Sequence, residues 1–349
     1  MGIQGQTNVT SRRFSRGAAQ GIGETVGQFV VTTMEVPWEN SKDRIAGTPR
    51  AVQIVDSMEL AVVEDQIAEL PDCETVVAVG GGRAIDFGKY MSWKRGCRLV
   101  SIPTVLSVDA FVTPKAGLRR NHRVEYLGES SPDPLVIDYD LLRSAPNDLN
   151  IAGAGDLLSI HTATFDWEVA EAAGRSEYPF SRDDVDRARS ILNDVRANAS
   201  EIRDCTDVGL SAIVEGYMRV NTICLPVDHY RVEEGSEHFL FYELEERLQR
   251  PFIHGQIVAL GIYVMSRLQE NDHQGIVQLM DELGLDYRPA SLEIEREDLS
   301  ESLSSLNGFV TKSTFWYSII DDRTIDSEWV RKLCDDLYCV DSHRGSSHQ

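Results

Sequence analysis

Three residues in this 349-residue chain have the chemistry of a metal centre. Asp156 sits in AGAGDLLS, which reads as a small-residue turn opening a helix. His238 lies in EGSEHFLFYELE and His254 in FIHGQIVALG, sixteen residues further on. One carboxylate and two imidazoles, with coordination positions left open, suit a catalytic zinc or ferrous ion. Spacing alone does not select them. The other histidines (122, 161, 229, 273, 343 and 348) are rival ligands, and a lone histidine is more often structural.

A second constellation is built of glycine. In VVAVGGGRAIDFGKY an apolar run meets Gly80, Gly81 and Gly82, and a helical pattern follows. Backbone N–H groups at such a turn can approach a phosphate, and a helix N-terminus adds partial positive charge. The spacing is not GxGxxG, so a tight structural turn competes with a phosphate site. A second strand-end loop, Pro103 to Asp109, offers the hydroxyls of Thr104 and Ser107 and the carboxylate of Asp109. Ligands of open parallel sheets bind beyond the carboxyl ends of the strands, so both loops should face one crevice.

The elements that must position these groups fall into two halves. Short β-branched or apolar runs at 28–33, 51–55, 75–79, 98–102 and 135–137 alternate with helical patterns at 60–70 and 84–93. That alternation predicts an α/β domain with a parallel, Rossmann-like sheet over residues 1–145. Residues 1–23, polar and Gly-rich with Arg12, Arg13 and Arg16, read as a loose arm or a partner-contacting extension. Beyond about residue 140, amphipathic runs dominate. Ser181, with Asp184 three residues on, starts a helix expected to reach Ile202. Further runs cover roughly 207–224, 236–248, 254–270, 273–284, 298–312 and 327–338. Residues 146–349 are thus expected to form an all-α domain that holds the metal.

Composition bounds the partners. There are 56 acidic against 34 basic side chains, a net charge of −22. Nucleic acid needs a concentrated basic face, so none is expected. The 6 Lys against 28 Arg, with the acid excess, fit either a protein working in high salt or a GC-rich genome. No apolar run approaches the roughly 20 residues of a membrane span. Six scattered cysteines with no CxxC pair read as reduced thiols, and a cytoplasmic protein is expected.

Five segments in order carry a resemblance. AVGGGRAIDFGKY, SIPTVLSVDAFVTPKAG, AGAGDLLSIHTATFDWEVA, GSEHFLFYELE and HGQIVALG resemble motifs of the dehydroquinate synthase-like and iron-containing alcohol dehydrogenase superfamily, most closely its glycerol-1-phosphate dehydrogenases. The likeness covers about residues 50 to 270. It implies Asp156, His238 and His254 as ligands of one divalent metal, zinc ahead of iron. It implies Gly80, Gly81, Gly82, Asp86, Thr104 and Ser107 around NAD or NADP. It implies Asp109 at the substrate hydroxyl and Lys115 at a substrate phosphate. Lys89 is also a family position, although a surface lysine would read the same way. The chain departs from the family at Tyr242, where a second histidine with a proton-handling role often stands, and at Gln256, where glutamate is frequent.

The implied activity is reduction of a small ketone, dihydroxyacetone phosphate or a related polyol precursor, by a homo-oligomer acting on a phosphorylated small molecule. The runner-up is a sugar-phosphate cyclase that uses NAD transiently. Cyclases take glutamate as first ligand, so Asp156 favours the dehydrogenase. A non-catalytic relative is the third reading, motivated by Tyr242. Lys115, Arg119, Arg120 and Arg123 form a cluster that is either a phosphate-attracting patch or a solvated loop.

Overall fold

The computed structural model describes residues 7–120 and 123–339. Residues 1–6 of the expected arm, and His122, His343 and His348, lie outside them. The strands are β1 (Arg12–Ser15), β2 (Phe29–Thr33), β3 (Ala51–Ile54), β4 (Thr75–Gly80), β5 (Arg98–Pro103), β6 (Ala116–Arg120), β7 (Arg123–Leu127) and β8 (Leu135–Asp138). Among them lie α1 (Glu35–Ile45), α2 (Leu60–Glu69) and α3 (Gly82–Arg95). After β8 come α4 (Tyr139–Leu142), α5 (Asn147–Leu157), α6 (Ile160–Ala172), α7 (Arg182–Ala197), α8 (Ala199–Arg203) and α9 (Asp207–Cys224). The remaining helices are α10 (Ser236–Leu248), α11 (His254–Gln269), α12 (His273–Leu283), α13 (Arg296–Ser313), α14 (Ile319–Asp322) and α15 (Ser327–Cys339).

Six strands form one parallel sheet in the order β1-β8-β5-β4-β2-β3. Its central strands are buried on both faces, as parallel sheets covered by helices must be. Val77 and Val79 of β4 join a core with Val31, Val100 and Ile102, while Val76 and Ala78 face the larger core that continues into the helices. The α/β and all-α halves expected from the sequence are therefore both present.

Three readings need correction. The stretch read as a loose arm contains β1, which pairs with β8 at the sheet edge. Both carboxylate oxygens of buried Asp138 hold it, accepting from the amides of Gly17 and Ala19 at 3.0 Å. A short polar strand gives little periodic signal, and its partner lies over a hundred residues away. Second, Asp156 is not in a turn but inside α5, whose small residues allow close helix contact. A Cβ on Gly255 would stand 1.7 Å from the Ala152 carbonyl oxygen, so only glycine lets α11 cross α5 here. Third, the helix from Ser181 ends at Ala197 rather than Ile202, although Ser181 does cap it, accepting from the Asp184 amide at 3.2 Å. Asn198 separates it from α8.

The antiparallel β6–β7 hairpin also escaped the sequence reading. Its charged residues hide an alternation that two turn-proximal arginines interrupt. It projects from the sheet domain toward α10.

Candidate metal centre and cofactor cleft

Asp156, His238 and His254 converge from three helices. One ligand atom of each lies within 4.8 Å of the others. Asp156 Oδ1 stands 3.6 Å from His238 Nε2 and 3.2 Å from His254 Nε2. That oxygen is buried and has no hydrogen-bond partner. Buried polar atoms are nearly always satisfied, so an orphaned carboxylate oxygen facing two imidazole nitrogens fits a cation.

The surroundings aim these donors. His238 Nδ1 pairs with Glu237 Oε1 at 2.9 Å, which leaves Nε2 for the centre. Glu237 is itself held by the Gly235 amide and the Thr162 hydroxyl, both at 2.6 Å. Tyr217 donates to Asp156 Oδ2 at 3.0 Å, leaving Oδ1 free. This is the outer-shell pattern that orients metal-binding histidines. Burial opposes charge on Asp156, but His254 and His238 outweigh it and hold the carboxyl below its ordinary range. Burial likewise opposes protonation of His238, yet its bonds to Asp156 and Glu237 win and raise it well above the ordinary imidazole value. Two charged partners close together in a low-dielectric pocket explain both directions.

None of the rival histidines among the described residues joins the three converging donors. His161 Nε2 bonds the Asn271 carbonyl at 2.6 Å, and His273 Nδ1 meets the Ser266 hydroxyl at 2.9 Å. His229 packs at a tilt against Tyr178, ring centroids 4.3 Å apart, and its buried Nδ1 has no hydrogen-bond partner.

A cavity of about 710 Å3 runs from His254 to the glycine turn. Gly81, Gly82, Asp86, Thr104, Ser107, Asp109, Lys115 and Tyr242 all line it, but Gly80 does not. Gly80 ends β4 with φ +148°, a conformation few side-chain-bearing residues adopt, and its carbonyl accepts from the Thr104 amide at 3.0 Å. It shapes the turn that Gly81 and Gly82 present. The helix that starts there, α3, directs its N-terminus into the cleft.

Lys89 is not a surface residue. At 2% exposure it bonds Asp86 Oδ1 and the Lys115 carbonyl, each at 2.6 Å, and both oxygens of Thr113 at 3.3 Å. It thereby pins the base of the β6–β7 hairpin to α3. Asp109 is half-buried on the cavity wall. Burial, and then the charge of Asp156, push its carboxyl up to about 7 against the pull of Lys89 and His254. Tyr242 packs beside His238, ring centroids 6.4 Å apart, and burial pushes its hydroxyl well above the ordinary value.

The basic cluster divides. Arg119 Nη2 donates to both carboxylate oxygens of Glu245 at 2.9 and 3.0 Å, and Arg123 pairs with Glu246 at 2.9 Å. Arg120 pairs with Glu125 in its own hairpin. These arginines clasp the hairpin to α10 or to itself and are not a free phosphate patch. Among the described residues, the Lys115 ammonium pairs with exposed Asp228, at 3.1 Å.

Sequence reasoning missed Glu237, Thr162, Tyr217 and Asn150. Asn150 accepts from the Leu106 amide at 3.2 Å and donates to the Leu142 carbonyl at 2.8 Å, anchoring the Thr104–Asp109 loop on α5. Only Glu237, adjacent to His238, carried any signal in the chain.

With this geometry in view, the likenesses to known proteins are specific. A family model described as iron-containing alcohol dehydrogenase matches residues 13–146. A glycerol-1-phosphate dehydrogenase, NAD(P)+, of Aeropyrum pernix is 30% identical over 231 residues, 66% of this chain and 65% of that protein. The chain is similar to the iron-containing alcohol dehydrogenases, and the family match lies in its sheet domain. A Sulfurisphaera tokodaii protein of the same name is 28% identical over 313 residues, 87% of this chain and 85% of its own. A probable glycerol dehydrogenase from Sinorhizobium meliloti superposes with a TM-score of 0.70 at 20% identity, covering 96% of this chain and 98% of that one; this likeness shows the fold. Among the described residues, no helix is long and apolar enough to cross a membrane.

Proposed function

We propose that this chain is a metal-dependent NAD(P)H oxidoreductase that interconverts a small ketone and alcohol, with dihydroxyacetone phosphate and glycerol 1-phosphate as the pair. The observation that carries this reading is the unpartnered Asp156 Oδ1 facing two imidazoles, one of which, His254, lines a cavity that reaches to a glycine turn. Asp156, His238 and His254 hold one divalent ion, and the glycine turn with Thr104 and Ser107 holds NAD(P)H. When bound, these groups supply Lewis acidity at a carbonyl oxygen and a hydride.

The chain's own residues do the positioning. Glu237 fixes the His238 ring and Tyr217 fixes the Asp156 carboxylate, so the three donors are set before the substrate arrives. Gly81 and Gly82 leave room for the pyrophosphate at the start of α3. Asp109, poised near neutrality, takes a hydrogen bond from the substrate hydroxyl or returns one. Tyr242, held neutral by its burial, donates on the same wall. No imidazole relay starts at this position. Lys115 receives the phosphate.

The test is direct. Protein loaded with zinc or ferrous ion, given NADPH or NADH and dihydroxyacetone phosphate, is expected to consume the reduced nicotinamide. No turnover with that ketone, dihydroxyacetone or glycerol would sink the proposal. Release of inorganic phosphate from a heptulose phosphate, with NAD not consumed overall, would favour a cyclase.

A further inference from the structure

Four Lys and Arg side chains line the cavity, and two of them are already committed to acids of its wall. Lys89 is buried against Asp86, and Arg119 is locked by two bonds to Glu245, which lines the cavity itself. Arg83 follows the glycine turn, at the nucleotide end. Lys115 is different. Its backbone is anchored by Lys89, but its side chain is 39% exposed and its acid partner, Asp228, is 83% exposed and outside the cavity lining. An exposed pair of this kind is worth little, because both charges remain solvated. A phosphate dianion arriving in the cavity offers more charge and several acceptor oxygens to the same ammonium group.

We infer that Asp228 competes with the substrate's phosphate for Lys115 and so sets the preference between phosphorylated and neutral substrates. The inference rests on the phosphorylated-substrate reading above. Asp228 follows α9 in a turn, with φ +53°. Asparagine tolerates that left-handed conformation as well as aspartate does, so Asp228→Asn removes the charge and keeps the turn.

The experiment compares wild type, D228N, K115M and the double variant as metal-loaded full-length enzymes. KM is measured for dihydroxyacetone phosphate, for dihydroxyacetone and for NAD(P)H. D228N is expected to lower the KM for the phosphorylated ketone about threefold to fivefold, the size set by freeing one exposed ion pair. The other two KM values should hold, and the gain should vanish when Lys115 is also replaced. An unchanged KM for the phosphorylated ketone overturns the inference. So does an equal fall for dihydroxyacetone or NAD(P)H, which would report only a general change of field. If no ketone is turned over, the proposed function fails by itself. Calorimetric titration with inorganic phosphate then still decides: tighter binding in D228N and loss in K115M support the competition, and equal binding in all variants overturns it.

Discussion

The amide of Gly255 donates to the carbonyl of Ser107 at 3.3 Å. Ser107 belongs to the loop lining the nucleotide end of the cavity, and Gly255 is the residue after His254. The cofactor loop and the metal helix are therefore joined by a backbone bond rather than by adaptable side chains. The same loop is tied to α5 by Asn150, six residues before Asp156 on that helix. In the proposed function, nucleotide and metal would sit on one rigid seam, as reaction between cofactor and metal-bound substrate requires.

Asn150 is the weak point of that seam to probe. Asn150→Ala leaves the buried Leu106 amide without its partner, a cost of about 1–3 kcal/mol. Denaturant unfolding should show that loss. The KM for NAD(P)H should rise along with it, because the loop carrying Thr104 and Ser107 loses its anchor. An unchanged midpoint and KM would show that the seam does not depend on this side chain.

Glu237 should govern metal affinity without touching the metal. Glu237→Gln keeps the shape but weakens the charged partner of His238 Nδ1. Outer-shell changes of this kind cost about 10- to 100-fold in affinity. Competition with a chromophoric chelator would measure it, and an affinity equal to wild type would remove Glu237 from the site's support.

The pH dependence of metal binding follows from the same contacts. Without metal, His238 holds a proton well above the ordinary imidazole range, because Asp156 and Glu237 favour its charged form over the burial that opposes it. An ion must displace that proton. Apparent affinity should therefore fall as pH drops and rise as pH climbs toward the raised value, by about tenfold per unit for one proton released. Titration in buffers of different ionisation heat would count the protons. An affinity flat from mildly acid to mildly alkaline pH would contradict the pairing.

The sequence was most legible where burial imposes a pattern. Continuous apolar runs such as TVVAV could only be central parallel strands, and amphipathic runs such as 207–224 could only be helices with one buried face. The three ligands needed five ordered motifs, since spacing alone could not prefer His238 over His161 or His229. What escaped was whatever depends on a distant partner. β1 is an edge strand made by β8, and Tyr217 reaches Asp156 from α9. Lys89 looks like any helix lysine until the hairpin closes over it. Even the small residues around Asp156, which read as a turn, record the close approach of α11.

Gly255 makes that approach testable. A Cβ there would overlap the Ala152 carbonyl oxygen, a backbone atom that cannot rotate away. Gly255→Ala must push α11 off α5, and with it His254 from Asp156. Overpacking of this kind typically costs about 1–3 kcal/mol, and backbone collision sets it at the upper end or beyond. The variant should melt well below wild type, and metal should recover less of the lost stability than it does in Asn150→Ala, where the ligands stay in register. Thermal melts of both variants with and without divalent ion separate the cases. Equal recovery by metal in the two would mean that α11 tolerates the shift without moving His254.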